Sequence, residues 1–215
     1  MTEPWLASGV IAVVRLPESA GLRNVAAALA AGGVAAVEIT LTTPGALEAI
    51  ADLASRGGDC VIGAGTVLDE KDARNAIAAG ARFVVSPTLD RGVVRYCRDQ
   101  GIASLPGAFT PTELLEAWRA GAALVKLFPA SALGPRYLRE VLAPLPFLHV
   151  VPSGGVSLDN AGDWIRAGAA AVSVGGALVN GTLVREQSWG ELTTRARALV
   201  DRVAAAREPR AGAPA

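Results

Sequence analysis

Two residues with reactive side chains, Glu38 and Lys126, each interrupt an apolar run of the kind that forms buried strands. Side chains alternate along a strand, so Glu38 shares a face with Thr40, opposite the apolar face of Val37 and Ile39. The same alternation separates Lys126 from the apolar residues on either side of it. We therefore expect a carboxylate and an amine to point away from the helix-facing side of their strands, into one shared interior.

Lysine at position 126 is informative because this chain otherwise uses arginine for its positive charges. Of the 20 basic residues, 18 are arginine, and Lys71 is the other lysine. Arginine stays protonated, whereas a desolvated lysine amine can lose its proton, attack a carbonyl carbon and form a Schiff base. Glu38 would suit such chemistry because a carboxylate can move protons beside the resulting iminium. Two structural explanations stay open: a lysine that reaches solvent from a strand end, and a buried salt bridge from Glu38 to Arg15 or Lys126.

The chain alternates short apolar runs with stretches of helical period, which is the pattern of repeated βα units. Eight such runs are candidate strands: residues 9–16, 35–41, 61–67, 82–87, 102–106, 124–129, 149–153 and 171–176. Between them lie candidate helices such as 69–79 and 111–120. Four helices are predicted to stop at the glycine of an Ala-Gly pair: Gly32, Gly80, Gly121 and Gly168. Eight strands in this order predict a (β/α)8 TIM barrel, with a doubly wound open sheet as the structural alternative.

Polar residues stand where three of the predicted strands end. Arg15, Thr66 and Ser153 end the first, third and seventh strands. In a barrel the active site lies at the carboxyl ends of the strands. We therefore expect all three side chains to face inward, at the same mouth as Glu38 and Lys126.

Glycines follow the last two strands as the pairs Gly154-Gly155 and Gly175-Gly176. The loops after strands seven and eight are the recurrent phosphate site of such barrels, where backbone N–H groups face the anion. These pairs predict a phosphate ester as ligand, although turns also need glycine. Gly63 and Gly65 on the third strand are explained equally well by close approach of a ligand and by tight packing of the barrel interior.

The composition fits one folded domain without a charged partner. The 215 residues are 51% hydrophobic and 19% charged with a net charge of zero, so nothing in the charge predicts nucleic acid or a membrane surface as partner. No stretch offers the ~20 consecutive apolar residues of a bilayer span, and the amino-terminal residues lack a signal-peptide pattern. We expect a single domain over residues 1–207, a flexible tail over 208–215 and a cytoplasmic location.

The remaining candidates for chemistry are interpreted as structural. Cys60 and Cys97 are too far apart in sequence for a metal site or a disulfide framework and are predicted to be buried thiols. His149, the single histidine, begins the seventh strand, at the end opposite the predicted mouth. Because no group of ligands has metal-binding spacing, we predict no metal site.

Seven segments between about Gly9 and Thr182 carry a combined resemblance in order and spacing. They are Val37-Glu38-Ile39-Thr40, Gly63-Ala64-Gly65-Thr66-Val67, Ser86-Pro87, Pro111-Thr112-Glu113-Leu114, Val125-Lys126-Leu127-Phe128-Pro129, Gly134-Pro135 and Val151-Pro152-Ser153-Gly154-Gly155-Val156. Together they resemble the 2-keto-3-deoxy-6-phosphogluconate (KDPG) / 4-hydroxy-2-oxoglutarate aldolases. Residues 128–137 also look like the galactonate-derived branch of that family, so the sugar epimer stays open.

The resemblance implies a class I aldolase that cleaves a 2-keto-3-deoxy-6-phospho sugar acid, or 4-hydroxy-2-oxoglutarate, to pyruvate and an aldehyde, as a homotrimer without a cofactor. It implies that Lys126 forms the Schiff base and that Glu38 is the general acid and base, working through a water molecule. The implied substrate contacts are Thr66 at the pyruvate carboxylate, Phe128 and Pro87 against the substrate, and Ser153, Gly154, Gly155 and Gly175 around the far hydroxyl or phosphate end. Some members have arginine where Thr42 stands here, so Arg15 is the candidate carboxylate anchor.

Three other functions stay open from the residues alone. A deoxyribose-phosphate-type aldolase would share the lysine and the phosphate site but would not need a carboxylate anchor. A phosphosugar isomerase or phosphate-binding synthase of the same barrel shape would use the glycine loops and Glu38 and give Lys126 no covalent role. A non-catalytic sugar-phosphate sensor would bind its ligand without turnover.

Overall fold

Every pair of hydrogen-bonded strands runs parallel, as expected for strands joined by helices. The computed structural model describes residues 4–208. Its strands are β1 (Val10–Val14), β2 (Ala36–Thr40), β3 (Val61–Gly65), β4 (Phe83–Val85), β5 (Ala103–Leu105), β6 (Gly107–Ala108), β7 (Val125–Leu127), β8 (Val150–Pro152) and β9 (Val172–Val174). One sheet has the order β5-β4-β3-β2-β1-β9 and the other the order β6-β7-β8.

Helices connect successive strands and cover the outside of the two sheets. They are α1 (Leu22–Ala31), α2 (Ala46–Arg56), α3 (Glu70–Ala78), α4 (Arg91–Asp99), α5 (Pro111–Arg119), α6 (Pro135–Leu142), α7 (Ala161–Arg166), α8 (Gly181–Arg185) and α9 (Trp189–Arg207), with 3-10 turns at Pro4–Leu6 and Ala130–Ala132. Both helices predicted at 69–79 and 111–120 are confirmed, as α3 and α5. Asp69 caps the first, and Thr110 with Glu113 forms a capping box on the second.

The two sheets close on each other into one barrel. At one junction the predicted strand 102–106 is divided at Pro106 into β5 and β6, which occupy one barrel position. β5 pairs with β4, and β6 pairs with β7. The Lys126 N–H donates to the Pro106 carbonyl at 2.9 Å and the Gly107 N–H donates to the Thr88 carbonyl at 3.3 Å, so this barrel position is hydrogen-bonded on both sides. At the other junction Ser153 forms a bridge with Ser173, and the Ala170 N–H donates to the Val150 carbonyl at 2.9 Å. The eight predicted barrel positions are confirmed, and the open-sheet alternative is wrong.

Three of the four predicted glycine stops adopt the left-handed conformation, Gly80, Gly121 and Gly168, with φ of 102°, 102° and 103°. The fourth helix, α1, also ends at its Ala-Gly pair, but there Gly32 has φ of −84° and the next residue, Gly33 at 88°, makes the left-handed turn. Gly32 is needed for packing instead, since a side chain there would overlap Ala196 of α9.

The barrel interior is built from layers of four side chains, each layer contributed by alternate barrel positions. Following the pairing register around the barrel, the lowest layer is Ala36, Phe83, Leu124 and Ala171, and the next is Ile11, Gly63, Leu105 and Val151. Trp5 stacks on Phe83 with ring centroids 4.4 Å apart and closes this apolar end. The third layer changes character and is here called the polar layer: Glu38, Val85, Lys126 and Ser173.

Candidate active site

Glu38 and Lys126 face each other across the barrel in the polar layer. Glu38 is 1% exposed and Lys126 7% exposed. The lysine amine lies 5.0 Å from the centroid of the Phe128 ring, within the range of a cation–π contact. Lys126 therefore does not reach bulk solvent, whereas the strand-end explanation of this lysine requires that it does. The prediction that β2 and β7 turn these two side chains into one interior is confirmed.

Burial dominates the electrostatics of Glu38. Removal from water raises the pKa of its carboxyl above the ordinary value, and the nearby positive charges of Lys126 and Arg15 offset only part of this effect. Neither of those cations forms an ion pair with Glu38 within 4.0 Å, and within the described chain Glu38 Oε2 has no hydrogen-bond partner. A buried salt bridge thus does not explain Glu38. A buried acid with a raised pKa that faces an amine has the properties that proton transfer requires.

Gly63 and Gly65 turn out to serve different purposes, although they lie two residues apart on the inner face of β3. A side chain at Gly63 would overlap the ring of Phe83, so this glycine belongs to the packing of the apolar layers. A side chain at Gly65 would overlap the carboxylate of Glu38. Gly65 therefore leaves the space in which the Glu38 carboxylate sits.

Thr66 reaches the mouth of the barrel by a route that alternation does not predict. Its strand neighbours Ile62 and Ala64 face the helices, so a regular strand would turn Thr66 outward as well, and the expected inward phase is wrong. Thr66 has φ of 60°, a left-handed conformation that is unusual for a residue with a Cβ atom. This turn brings the side chain round to the pocket above the polar layer. Such a conformation held at a pocket is typical of a functional position.

All nine predicted substrate-binding residues line one pocket of about 530 Å³, and Lys126 contributes to its wall, whereas Glu38 is not among the lining residues. They are Arg15, Thr66, Pro87, Phe128, Ser153, Gly154, Gly155, Gly175 and Gly176. The pocket lies at the carboxyl ends of the strands and is of the size that small ligands occupy. The structure therefore brings the predicted site together in one place.

Arg15 is an exposed cation at the mouth of this pocket. It forms no ion pair with any residue in the described part of the chain, in contrast to the paired arginines of the helices. The Thr43 hydroxyl accepts a hydrogen bond from the Leu16 N–H at 3.2 Å and fixes the backbone beside Arg15. Thr42 does not line the pocket, and its hydroxyl donates to Thr40 at 3.1 Å. An unpaired guanidinium at this place is free to bind an anionic ligand.

The loop after β8 contributes two consecutive glycines to the pocket lining. Gly154 and Gly155 have φ of 83° and 78°, so both need the conformational freedom of glycine. Gly154 lies against the Phe128 ring, and a side chain at Gly155 would overlap Ser131. Consecutive glycines in this conformation leave their N–H groups accessible, as an anion-binding loop requires.

Comparison with known proteins decides the family. The family described as "Aldolase: KDPG and KHG aldolase" matches this chain over residues 5–195. The chain belongs to this family. It is an enzyme of the carbon–carbon lyase class, and the resemblance carried by the seven segments is confirmed.

Relatives with known names agree with this assignment. The 2-dehydro-3-deoxy-phosphogluconate aldolase of Pseudomonas aeruginosa is 36% identical over 197 residues, which covers 91% of this chain and 89% of that protein. The 2-dehydro-3-deoxy-6-phosphogalactonate aldolase of Escherichia coli is 37% identical over 170 residues, covering 77% and 82%. A KDPG aldolase from Legionella pneumophila, solved with pyruvate captured at low pH as a covalent carbinolamine intermediate, superimposes with a TM-score of 0.84 at 31% identity, covering 92% of this chain and 98% of that one.

Sequence reasoning missed part of the aldolase pocket wall. The additional lining residues are Val13, Val156, Ser157, Ala177 and Val179. The alternation of side chains along β1 could have predicted Val13, because it is two residues before Arg15 and on the same face. The others follow the glycine pairs in loops, where no periodic signal reports which way a side chain points.

Other features of the described residues contribute no further chemistry to the aldolase. A larger cavity of about 1000 Å³ lies between α6, α7 and the end of α9, and Lys126 is not among its lining residues. The described part of the chain contains no group of three potential metal ligands and no helix long and apolar enough to cross a membrane. Cys97 is buried, and burial raises its pKa to about 11, whereas Cys60 is only half-buried with a raised pKa. The predicted tail at 208–215 lies outside the described residues except for Glu208.

The packing of Gly65 against Glu38 predicts that Gly65→Ala inactivates the aldolase without touching its lysine. The added methyl group must displace the Glu38 carboxylate, so we expect turnover to fall by about 100-fold or more, in the range that general acid–base catalysis contributes. Lys126 should still be trapped by pyruvate and borohydride. Gly190→Ala in α9 is the control, because a side chain there meets open space. Full turnover in Gly65→Ala would show that the Glu38 position is not needed.

Proposed function

We propose that the chain reversibly cleaves 2-keto-3-deoxy-6-phospho sugar acids of the gluconate or galactonate series to pyruvate and glyceraldehyde 3-phosphate, with 4-hydroxy-2-oxoglutarate as a smaller substrate that yields glyoxylate. The observation that carries this proposal is the buried amine of Lys126, which lines one pocket with Arg15 and the glycine pairs and faces the buried carboxyl of Glu38 within the polar layer. The relatives named above act on such compounds, which supports the same substrate class here.

In the proposed reaction Lys126 does the covalent chemistry. Its amine attacks the C2 ketone of the substrate, water leaves and an iminium forms. Glu38 takes the proton of the C4 hydroxyl, the C3–C4 bond breaks, and its electron pair moves toward the iminium nitrogen to give an enamine and the free aldehyde. Glu38 then returns the proton to C3, and water hydrolyses the iminium to release pyruvate and the lysine amine. The iminium accepts the electron pair and an enamine forms in place of an unstable carbanion, so the step needs no metal or organic cofactor.

The two anionic ends of the substrate are proposed to lie at opposite sides of the pocket. Arg15 and Thr66 would hold the carboxylate next to the reacting ketone, in place of an arginine at Thr42. Ser153 and the backbone N–H groups of the glycine pairs would hold the phosphate. A substrate held at both ends keeps its C3–C4 bond fixed over Lys126 and Glu38, which lowers the entropic part of the barrier. Phe128 and Pro87 would pack against the carbon chain between them.

A substrate panel tests this proposal. The protein is incubated with both phosphorylated epimers, with 4-hydroxy-2-oxoglutarate and with 2-deoxyribose 5-phosphate, and the carbonyl products are followed with coupled dehydrogenases. We expect pyruvate from the keto acids, a higher kcat/KM for the phosphorylated ones, and no cleavage of deoxyribose phosphate. Cleavage of deoxyribose phosphate without inhibition by pyruvate would favour the other aldolase class. Binding without any product would favour a sensor.

The assembly and location of the enzyme stay predictions. We propose a homotrimer, because the family resemblance implies one and closed cyclic symmetry permits it. The mass in solution, measured by light scattering, is expected to be three times that of the chain. The cytoplasmic location and the absence of nucleic-acid and membrane partners likewise stay predictions.

A further inference from the structure

Ser173 is the one polar side chain of the polar layer to which the proposed reaction assigns no task. It lies between Val172 and Val174, which both pack against the helices, so its side chain faces the barrel interior. Ser173 is 3% exposed, and within the described residues its hydroxyl has no hydrogen-bond partner. In the layer its neighbours on either side are Glu38 and Lys126, because one barrel strand separates it from each of theirs.

Packing alone does not account for a serine at this position. An alanine would fill nearly the same volume without burying a hydroxyl that must find a partner. The chain itself uses alanine at the preceding inward-facing position, two layers lower, where Ala171 faces the interior and is fully buried. The retained hydroxyl at Ser173 therefore indicates a polar partner in the polar layer.

A second orphaned atom lies in that layer. Glu38 Oε2 is buried and has no hydrogen-bond partner within the described chain, as is the case for Ser173 Oγ. Buried polar groups in proteins are nearly always paired, and two that face one interior without touching are commonly bridged by an ordered water molecule. Ser153 forms a parallel β-bridge with Ser173 and lines the pocket one layer higher. It therefore gives such a water a polar path to the substrate.

We propose that Ser173 is a positioning residue for proton transfer: its hydroxyl, together with Glu38 Oε2, holds the water molecule through which the family resemblance implies that Glu38 acts. This inference rests on the proposed aldolase function and deepens it. The hydroxyl donates to the water and the water donates to the ionised carboxylate, so the bridge favours the form of Glu38 that accepts a proton. Ser173 touches no reacting atom itself.

The exchange of pyruvate methyl protons for deuterium isolates this step, because it needs the iminium and proton transfer but no aldehyde. It is measured by NMR in D2O from pH 5 to 9 on the full chain, with borohydride trapping of Lys126 in parallel. We expect Ser173→Ala to be trapped like the wild type but to exchange about 10- to 100-fold more slowly, the size of one hydrogen bond to a charged group. Its exchange profile should move to higher pH by about one unit or more, because the ionised carboxylate loses support.

Two further variants separate the hydroxyl from its volume. Ser173→Cys keeps the shape with a much weaker donor and should behave like Ser173→Ala. Ser104→Ala removes a buried serine hydroxyl from β5 whose strand neighbours face the interior, so it should match the wild type. An unchanged rate and pH profile in Ser173→Ala, or a parallel fall of trapping and exchange, would overturn the inference. If the wild type neither traps nor exchanges pyruvate, the aldolase proposal fails and this inference fails with it.

Discussion

Lys126→Arg is expected to lower kcat/KM for the cleavage of the keto acids by about 10⁴-fold or more, the scale on which loss of a covalent nucleophile acts. Arginine keeps the positive charge and most of the length of lysine in the polar layer, opposite Glu38. Its guanidinium stays protonated and cannot form an iminium with a ketone. The variant therefore preserves electrostatics and removes only the nucleophile. Steady-state pyruvate release from the substrate measures the effect.

The chain offers a matched control for this substitution. Lys71, the other lysine, is exposed on α3, far from the pocket lining. Lys71→Arg should retain full activity and full stability. Both variants should keep the wild-type circular dichroism spectrum. Activity within tenfold of the wild type in Lys126→Arg would contradict a Schiff-base mechanism at this residue.

Glu38→Gln has the second largest expected effect, a loss of turnover of about 10²- to 10⁴-fold, because general acid–base catalysis contributes that much. The amide has nearly the same shape as the carboxyl but neither donates nor accepts the substrate proton. Lys126 should still form the iminium, so borohydride trapping should persist while turnover is lost. Glu48→Gln, at an exposed position of α2, is the control. A variant that turns over normally would remove Glu38 from the mechanism.

The same substitution should change how stability depends on pH. Burial raises the pKa of Glu38 above its ordinary value of 4.5, so the folded protein keeps this proton to a higher pH than the unfolded chain does. The stability contributed by the protonated carboxyl is therefore fully present below the ordinary value and is lost as pH rises through the raised pKa, at about 1.4 kcal/mol for each pH unit between the two values. Denaturant unfolding of wild type and Glu38→Gln should show the variant gaining relative stability from pH 4 to pH 8. A constant difference would contradict the raised pKa.

The fold and the two central residues could be predicted from local patterns, because those patterns are set by burial. Alternation of apolar and polar residues turns Glu38 and Lys126 inward, and the βα repeat fixes the barrel. The division of the fifth strand at Pro106 does not change the number of barrel positions. A lysine inside an apolar strand of an arginine-rich chain indicates the nucleophile, because lysine alone of the two can lose its proton.

What could not be predicted depends on backbone geometry or on contacts between distant segments. The positive φ of Thr66 reverses its side chain against the alternation of β3. The separate purposes of Gly63 and Gly65 depend on Phe83 and Glu38, which lie on other strands. Ser173 gave no signal, because a serine between two valines is ordinary in a strand, and its place beside Glu38 follows only from the register around the barrel.

The central claim is covalent catalysis at Lys126, and one measurement tests it most directly. The protein is incubated with pyruvate and sodium borohydride, its intact mass is measured, and the modified peptide is mapped. The account predicts one reduced pyruvate adduct on Lys126 in the wild type and none in Lys126→Ala. No adduct on a folded protein, or an adduct at Lys71 instead, would contradict it and would favour a phosphate-binding isomerase or synthase that uses Glu38.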